Sequence, residues 1–195
     1  MKTVNVSLVG VGGQGILLTA NMLAKAASLA GLDVKKSEIH GMAQRGGSVV
    51  SQVRIGSQVH SPIIPEGATD VLVAFDKLEA LRWAHVLAPD GKAVINNVYL
   101  TPVTVSSGQQ KDVDDLDGEL KKALKDAKYV DAQALSREAG NERTMNMVIA
   151  GALSALFPLK EEFWTAAMDQ TFTGPKAKLL DLNKKAFALG RAAVS

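Results

Sequence analysis

The sequence predicts an α/β fold: a three-layer α/β/α, Rossmann-like domain with a mixed, mostly parallel sheet and one antiparallel hairpin. Three observations lead there. An apolar run at residues 4–9 meets a glycine-rich turn, G-V-G-G-Q-G at 10–15, and then an alanine-rich segment with apolar residues at helical spacing over 16–30. Strand-like runs then alternate with helical ones as far as residue 139, the pattern of βα units laid on one sheet. Three consecutive helical segments close the chain and are expected to cover the sheet. Residues 1–195 thus read as a single domain whose C-terminal helices, from about 144 to 195, pack on the sheet.

Each element has a local reason. After the first βα unit, residues 33–37 read as a second strand, followed by a loop at 41–47. Residues 48–55 alternate Val, Ser and Ile, and Gly56-Ser57 is expected to turn that strand back through 58–61 as a β-hairpin. Pro62 and Pro65 hold the next segment extended. A nearly all-apolar third central strand is predicted at 69–75, with Asp76 at its end placed to cap a helix over 77–87 that stops before Pro89-Asp90-Gly91. Residues 92–97 read as a fourth strand. A helix at 114–125 carries acids in its first turn and lysines in its last, matching the helix dipole. A short strand at 129–131 and helices at 132–139, 144–156, 161–170 and 175–191 complete the pattern, Pro158 ending the second of these and Pro175 opening the last.

Composition narrows the function. Twenty-two basic and 20 acidic side chains give a net charge of +2, with the lysine clusters interleaved with Asp, Leu and Ala at helical spacing. Those are solvated helix faces, and nothing points to nucleic acid. Cysteine is absent, which excludes disulfides, thiolate nucleophiles, zinc ribbons and any iron–sulfur cluster held by this chain's own thiolates. No signal-like segment or long apolar stretch occurs, so a soluble, cytoplasmic protein with no membrane partner is expected.

Two loops carry the functional signal. Four glycines between residues 10 and 15, at a strand-to-helix turn, permit positive φ, close backbone approach and free N–H groups at the positive end of a helix dipole. Such a turn binds anions, or simply allows tight packing of helix on sheet. The second loop, H-G-M-A-Q-R-G-G-S at 40–48, displays Gln44 and Arg45 beside Gly46-Gly47, where the carboxyl ends of parallel strands bring ligands. Both loops can face one phosphate-rich ligand or one partner surface; alternatively, Arg45 pairs with Glu38 or Asp76. Glu38 also stands roughly where an acid binding ribose hydroxyls sits, so an autonomous NAD(P)-binding oxidoreductase is a second reading and a pure assembly scaffold a third. The three histidines, His40, His60 and His85, have no metal-site spacing. Serine-hydrolase elbow and Walker A patterns are both missing.

At this point the residues resemble a known family. The strings G-V-G-G-Q-G-I-L, S-E-I-H-G-M-A-Q-R-G-G-S-V-V-S-Q-V-R-I-G, S-P-I-I-P-E-G, L-V-A-F-D-x-L-E-A-L-R and A-G-N-x-x-T-x-N-M-V-I-x-G-A-L-S resemble the gamma subunit of 2-oxoacid:ferredoxin oxidoreductases. Within it, the nearest form is the small (beta) subunit of the indolepyruvate enzymes. The likeness extends through G-P-K-A-K-L-L-D-L-N-K-K-A-F-A-L-G, essentially the whole chain.

That resemblance implies an accessory subunit that is inactive alone and has no catalytic residue or metal site of its own. Oxidative decarboxylation of a 2-oxoacid, indolepyruvate or another arylpyruvate or ketoacid, would yield acyl-CoA and send electrons to ferredoxin. Thiamine diphosphate, Mg²⁺ and iron–sulfur clusters are implied to sit on a large partner subunit. Coenzyme A is implied at the shared interface, against Gly10, Gly12, Gly13, Gln14 and Gly15, Asn21 on the following helix, and Gln44, Arg45, Gly46, Gly47 and Ser48.

Overall fold

The computed structural model describes residues 2–40 and 47–194. Strands β1 (Val4–Val11), β2 (Asp33–His40), β3 (Ser48–Gly56), β4 (Thr69–Ala74), β5 (Leu87–Asn96) and β6 (Lys128–Val130) form a six-stranded sheet in the order β2-β3-β1-β4-β5-β6. From β1 to β6 the pairing is parallel, whereas β3 runs antiparallel to both of its neighbours. The predicted mixed, mostly parallel sheet is thus present.

Alternation along β1 explains why it lies inside the sheet. Val6 and Leu8 point into one core and Val9 into the other, all fully buried, and the Ser7 hydroxyl between them is paired with that of Thr69 at 2.9 Å. The larger core lies under helices α1 (Ile16–Leu29), α5 (Ala132–Ala139), α6 (Met145–Leu156), α7 (Glu161–Thr171) and α8 (Leu180–Ala192). The smaller lies under α2 (Lys77–Arg82) and α4 (Leu116–Ala123); α3 (Val103–Ser106) is a single exposed turn between them in sequence. Helices therefore cover both faces of the sheet, unequally. Among the described residues no helix is long and apolar enough to cross a membrane.

The hairpin is not where the sequence suggested. β2 and β3 are the antiparallel pair joined through the 41–47 segment, Gly56 ends β3, and 58–61 is not a strand. The reason is that both hydrogen-bonding edges of β3 are already taken, by β2 and by β1. The chain after Gly56 is instead strapped by side chains: Asp33 accepts from the Val59 amide at 2.8 Å, Arg54 donates to the carbonyls of Ser61 and Ile63, and Gln52 accepts from the Ile64 amide.

Smaller departures have similar causes. β2 continues to His40 because β3 pairs with its whole length, so Glu38 lies within the strand. α2 stops at Arg82, a 3-10 turn follows at Ala84–Val86, and Pro89-Asp90-Gly91 is taken into β5. There the register slips, Thr69 pairing with Leu87 and Val71 with Lys92, and an irregularity of this kind lets a strand accept proline. The predicted 175–191 helix is divided into a 3-10 turn, Gly174–Leu179, and α8.

Candidate functional site

Parallel strands β1, β4 and β5 all end at one edge of the sheet, and β3, running the other way, begins there. The glycine loop, Gly47-Ser48, Asp76 and the 97–102 segment consequently meet at this carboxyl edge, where open α/β sheets bind ligands.

The glycine loop is held from within. Gln14 folds back so that its Oε1 accepts from the Val11 amide at 2.7 Å while its Nε2 donates to the Phe75 carbonyl at 3.0 Å. Gln14 is thus a staple between the ends of β1 and β4. A Cβ on Gly10 would lie 2.7 Å from that same Oε1 and 2.8 Å from the Phe75 Cβ, so glycine is required by packing. Gly15, at φ +85°, opens α1, and a Cβ there would lie 2.8 Å from the Asn146 amide nitrogen. Gly13 differs. It is exposed at φ +103°, and its Cβ would meet nothing within 4 Å, so this is the point at which the loop presents bare backbone outward.

The two loops meet: the Gly12 amide donates to the Gly47 carbonyl at 2.9 Å. Next to it, the Ser48 hydroxyl donates to Glu79 Oε2 at 2.5 Å, and the other oxygen of this buried carboxylate takes Arg82 at 2.7 Å. Gln44, Arg45 and Gly46 lie outside the described residues. Asn21 is on the exposed side of α1, reached by Lys36, which also pairs with Glu38. Six residues into the helix, at ~1.5 Å rise each, it stands roughly 9 Å along from Gly15. Glu38 is not placed as in a dinucleotide fold, because antiparallel β3 separates β2 from β1, where such a fold pairs the two strands directly.

Asp76 is the second anchor of the edge. Its side chain, 1% exposed, accepts from the amides of Leu78 and Glu79, capping α2, and from Leu100 at 2.7 Å. Burial, with a smaller contribution from neighbouring Glu79, raises its pKa above the ordinary 3.8 against the lowering by these three amides. A folded pKa above the unfolded one means that the stabilising proton is fully bound below about pH 3.8 and lost as pH rises through the folded value. Over that window urea-unfolding stability of the wild type is therefore expected to include a component that falls with rising pH, which Asp76→Asn removes. Asp33 has the opposite sign: its ion pair with Lys35, together with the Val59 amide, lowers its pKa, so its contribution is lost only on acidification below 3.8.

A small cavity of about 150 Å³ opens beside these anchors, between Val11, Ser48, Asp76 and Glu79 on one side and Leu100 and Val103 on the other. The last two are 43% and 74% exposed, an apolar lip on a charged recess. Behind the loop, Asn96 Nδ2 donates to the Phe75 carbonyl and its Oδ1 accepts from Ala132, tying β4 to the start of α5. Asn96 and Asn146 escaped the sequence reading; Asn146 stood inside the A-G-N-x-x-T-x-N-M string without an assigned role. Among the described residues no group of three His, Cys, Asp or Glu side chains is arranged to hold a metal ion.

Comparison with known proteins decides the relationship. The family model for pyruvate ferredoxin/flavodoxin oxidoreductase matches residues 5–193. The chain belongs to this family. It is 40% identical over 190 residues to the indolepyruvate oxidoreductase subunit IorB of Archaeoglobus fulgidus, a match covering 95% of this chain and 92% of the relative. Its fold is similar to the gamma subunit of the keto/oxoacid ferredoxin oxidoreductase from Geobacter sulfurreducens (TM-score 0.71, 22% identity, 98% of each chain). A similar unit forms 31% of a chain of the 2-oxoglutarate:ferredoxin oxidoreductase from Magnetococcus marinus, solved with 2-oxoglutarate, coenzyme A and succinyl-CoA bound (TM-score 0.74, 23% identity, all of this chain). The family is the one that its glycine loop and H-G-M-A-Q-R-G-G-S string suggested.

Proposed function

We propose that the chain is the small subunit of an indolepyruvate-type 2-oxoacid:ferredoxin oxidoreductase, acting as one 195-residue unit in the cytoplasm. The observation carrying this reading is the full-length 40% identity to an indolepyruvate oxidoreductase subunit. A large partner subunit would hold thiamine diphosphate, Mg²⁺ and the iron–sulfur clusters, and would pass electrons to ferredoxin. The clusters do not fit this chain, which has no cysteine. When bound to the partner, thiamine diphosphate supplies the decarboxylation of the 2-oxoacid.

Coenzyme A is assigned to the shared interface, along the carboxyl edge. Gly13 fits that role, because its exposed backbone and the start of α1 favour an anionic group at close range. Gln14 contributes by stapling the loop, and Arg45 would supply a charge-assisted contact to phosphate.

In the assembled enzyme, Gly13→Val and Arg45→Ala are each expected to raise the coenzyme A requirement, Arg45→Ala by about ten- to a hundredfold, the equivalent of roughly 1.5–3 kcal/mol. Thiamine-dependent decarboxylation should be spared. Size-exclusion co-elution with the large subunit, measured on the same variants, separates this from an interface role, for which decarboxylation and acyl transfer fall together with assembly. Intact assembly with an unchanged coenzyme A requirement would leave the loops as turn geometry only.

A further inference from the structure

We infer that the cavity between the start of α6 and the helices α1, α7 and α8 is a second small-molecule site, for an aromatic carboxylate. It is distinct from the carboxyl-edge recess and encloses about 280 Å³. Its apolar lining comes from Leu18 of α1, Phe172 at the end of α7, Leu179 of the 3-10 turn and Leu182 of α8. Two cations, Arg143 and Lys176, stand at its walls, and no carboxylate does. Neither makes an ion pair among the described residues.

Size and charge together select the ligand. Small-molecule pockets begin near roughly 300 Å³, so this one takes a body of one or two rings and not a dinucleotide or a whole coenzyme A. Predominantly apolar walls, with Thr144 and Asn183 as buried polar groups among them, favour burial of a ring system, while the two cations favour a single anionic group at its end. Asn146 adds a side-chain amide on the same wall and is itself the residue of α6 that packs against Gly15. An occupant would therefore bridge α8 to the helix that buttresses the glycine loop. This goes beyond the proposed coenzyme A role and does not depend on it.

The test titrates the purified full chain with 2-naphthoate, by calorimetry, against its neutral isostere 2-naphthamide. Saturable one-to-one binding is expected, with the amide weaker by about fivefold. The Arg143→Ala/Lys176→Ala double variant, changed only at exposed positions, should weaken naphthoate by about tenfold and leave the amide unchanged. Leu182→Trp should fill the cavity and abolish both; if that variant does not fold, the double variant carries the test alone. Absence of saturable binding, equal affinity in the double variant, or displacement of naphthoate by coenzyme A would each overturn the proposal. The last would place the ligand in the coenzyme A site, and failure of the coenzyme A reading alone would leave the naphthoate result unchanged.

Discussion

Gly190→Leu is expected to abolish folding, and Gly190→Ala to cost about 3 kcal/mol, the upper end of ordinary overpacking. Helices α6 and α8 touch backbone to backbone here. A Cβ at Gly190 would lie 1.9 Å from the Val148 carbonyl oxygen, and one at Gly151 would lie 2.0 Å from that of Phe187. Both obstacles are main chain, which no rotamer change can move aside. The helices would have to separate along a contact backed by Met147, Ile149 and Phe187, all buried, and clamped by Arg191 donating to the Ser154 carbonyl and hydroxyl at 2.9 Å. At roughly 2–4 °C per kcal/mol for a chain of this size, thermal denaturation of Gly190→Ala should show a Tm lower by about 6–12 °C. An unchanged Tm would mean that the two helices do not pack this closely.

The second large effect is expected at Gly15. Gly15→Ala should cost about 2–3 kcal/mol from two separable sources. A left-handed conformation costs a non-glycine residue about 1–2 kcal/mol, and the remainder is the collision with Asn146. Because that obstacle is the Asn146 side chain, its Cβ at 2.9 Å included, an Asn146→Gly background should relieve it and leave only the conformational cost. Urea denaturation of the two single variants and the double variant reads the coupling directly. Simple additivity would show that Asn146 does not buttress the loop. In the assembled enzyme Gly15→Ala should also reduce activity, since the loop and the start of α6 would move apart.

Much of this was legible from local pattern, and what was not depended on distant pairing. Four closely spaced glycines after an apolar run mark a strand-to-helix turn unaided, and the α5 and α6 helices follow from their spacing. The Gly56-Ser57 turn misled because a glycine after an alternating strand looks the same whether the chain reverses there or leaves the sheet. Only knowing that β1 and β2 occupy both edges of β3 distinguishes the two cases. Pro89-Asp90-Gly91 reads as a stop signal, yet a slip in register against Thr69 accommodates it.

At the site, the glycines of the first loop were identified as a group, but their separate duties were not. Gly10 and Gly15 are demanded by Gln14, Phe75 and Asn146, and Asn146 lies far away in the sequence. Asp76 was legible as a helix cap. Its hold on Leu100 was not, because the 97–102 segment carries no pattern that fixes where it returns.

The assignment as an accessory subunit is most directly tested by reductive assay of the purified chain, alone and after assembly with its large subunit. Indolepyruvate serves as substrate, with coenzyme A present and ferredoxin as acceptor. The expected result is no activity and no iron–sulfur absorbance for the chain alone, and coenzyme A-dependent ferredoxin reduction once the complex forms. Ferredoxin reduction by the chain alone would contradict it.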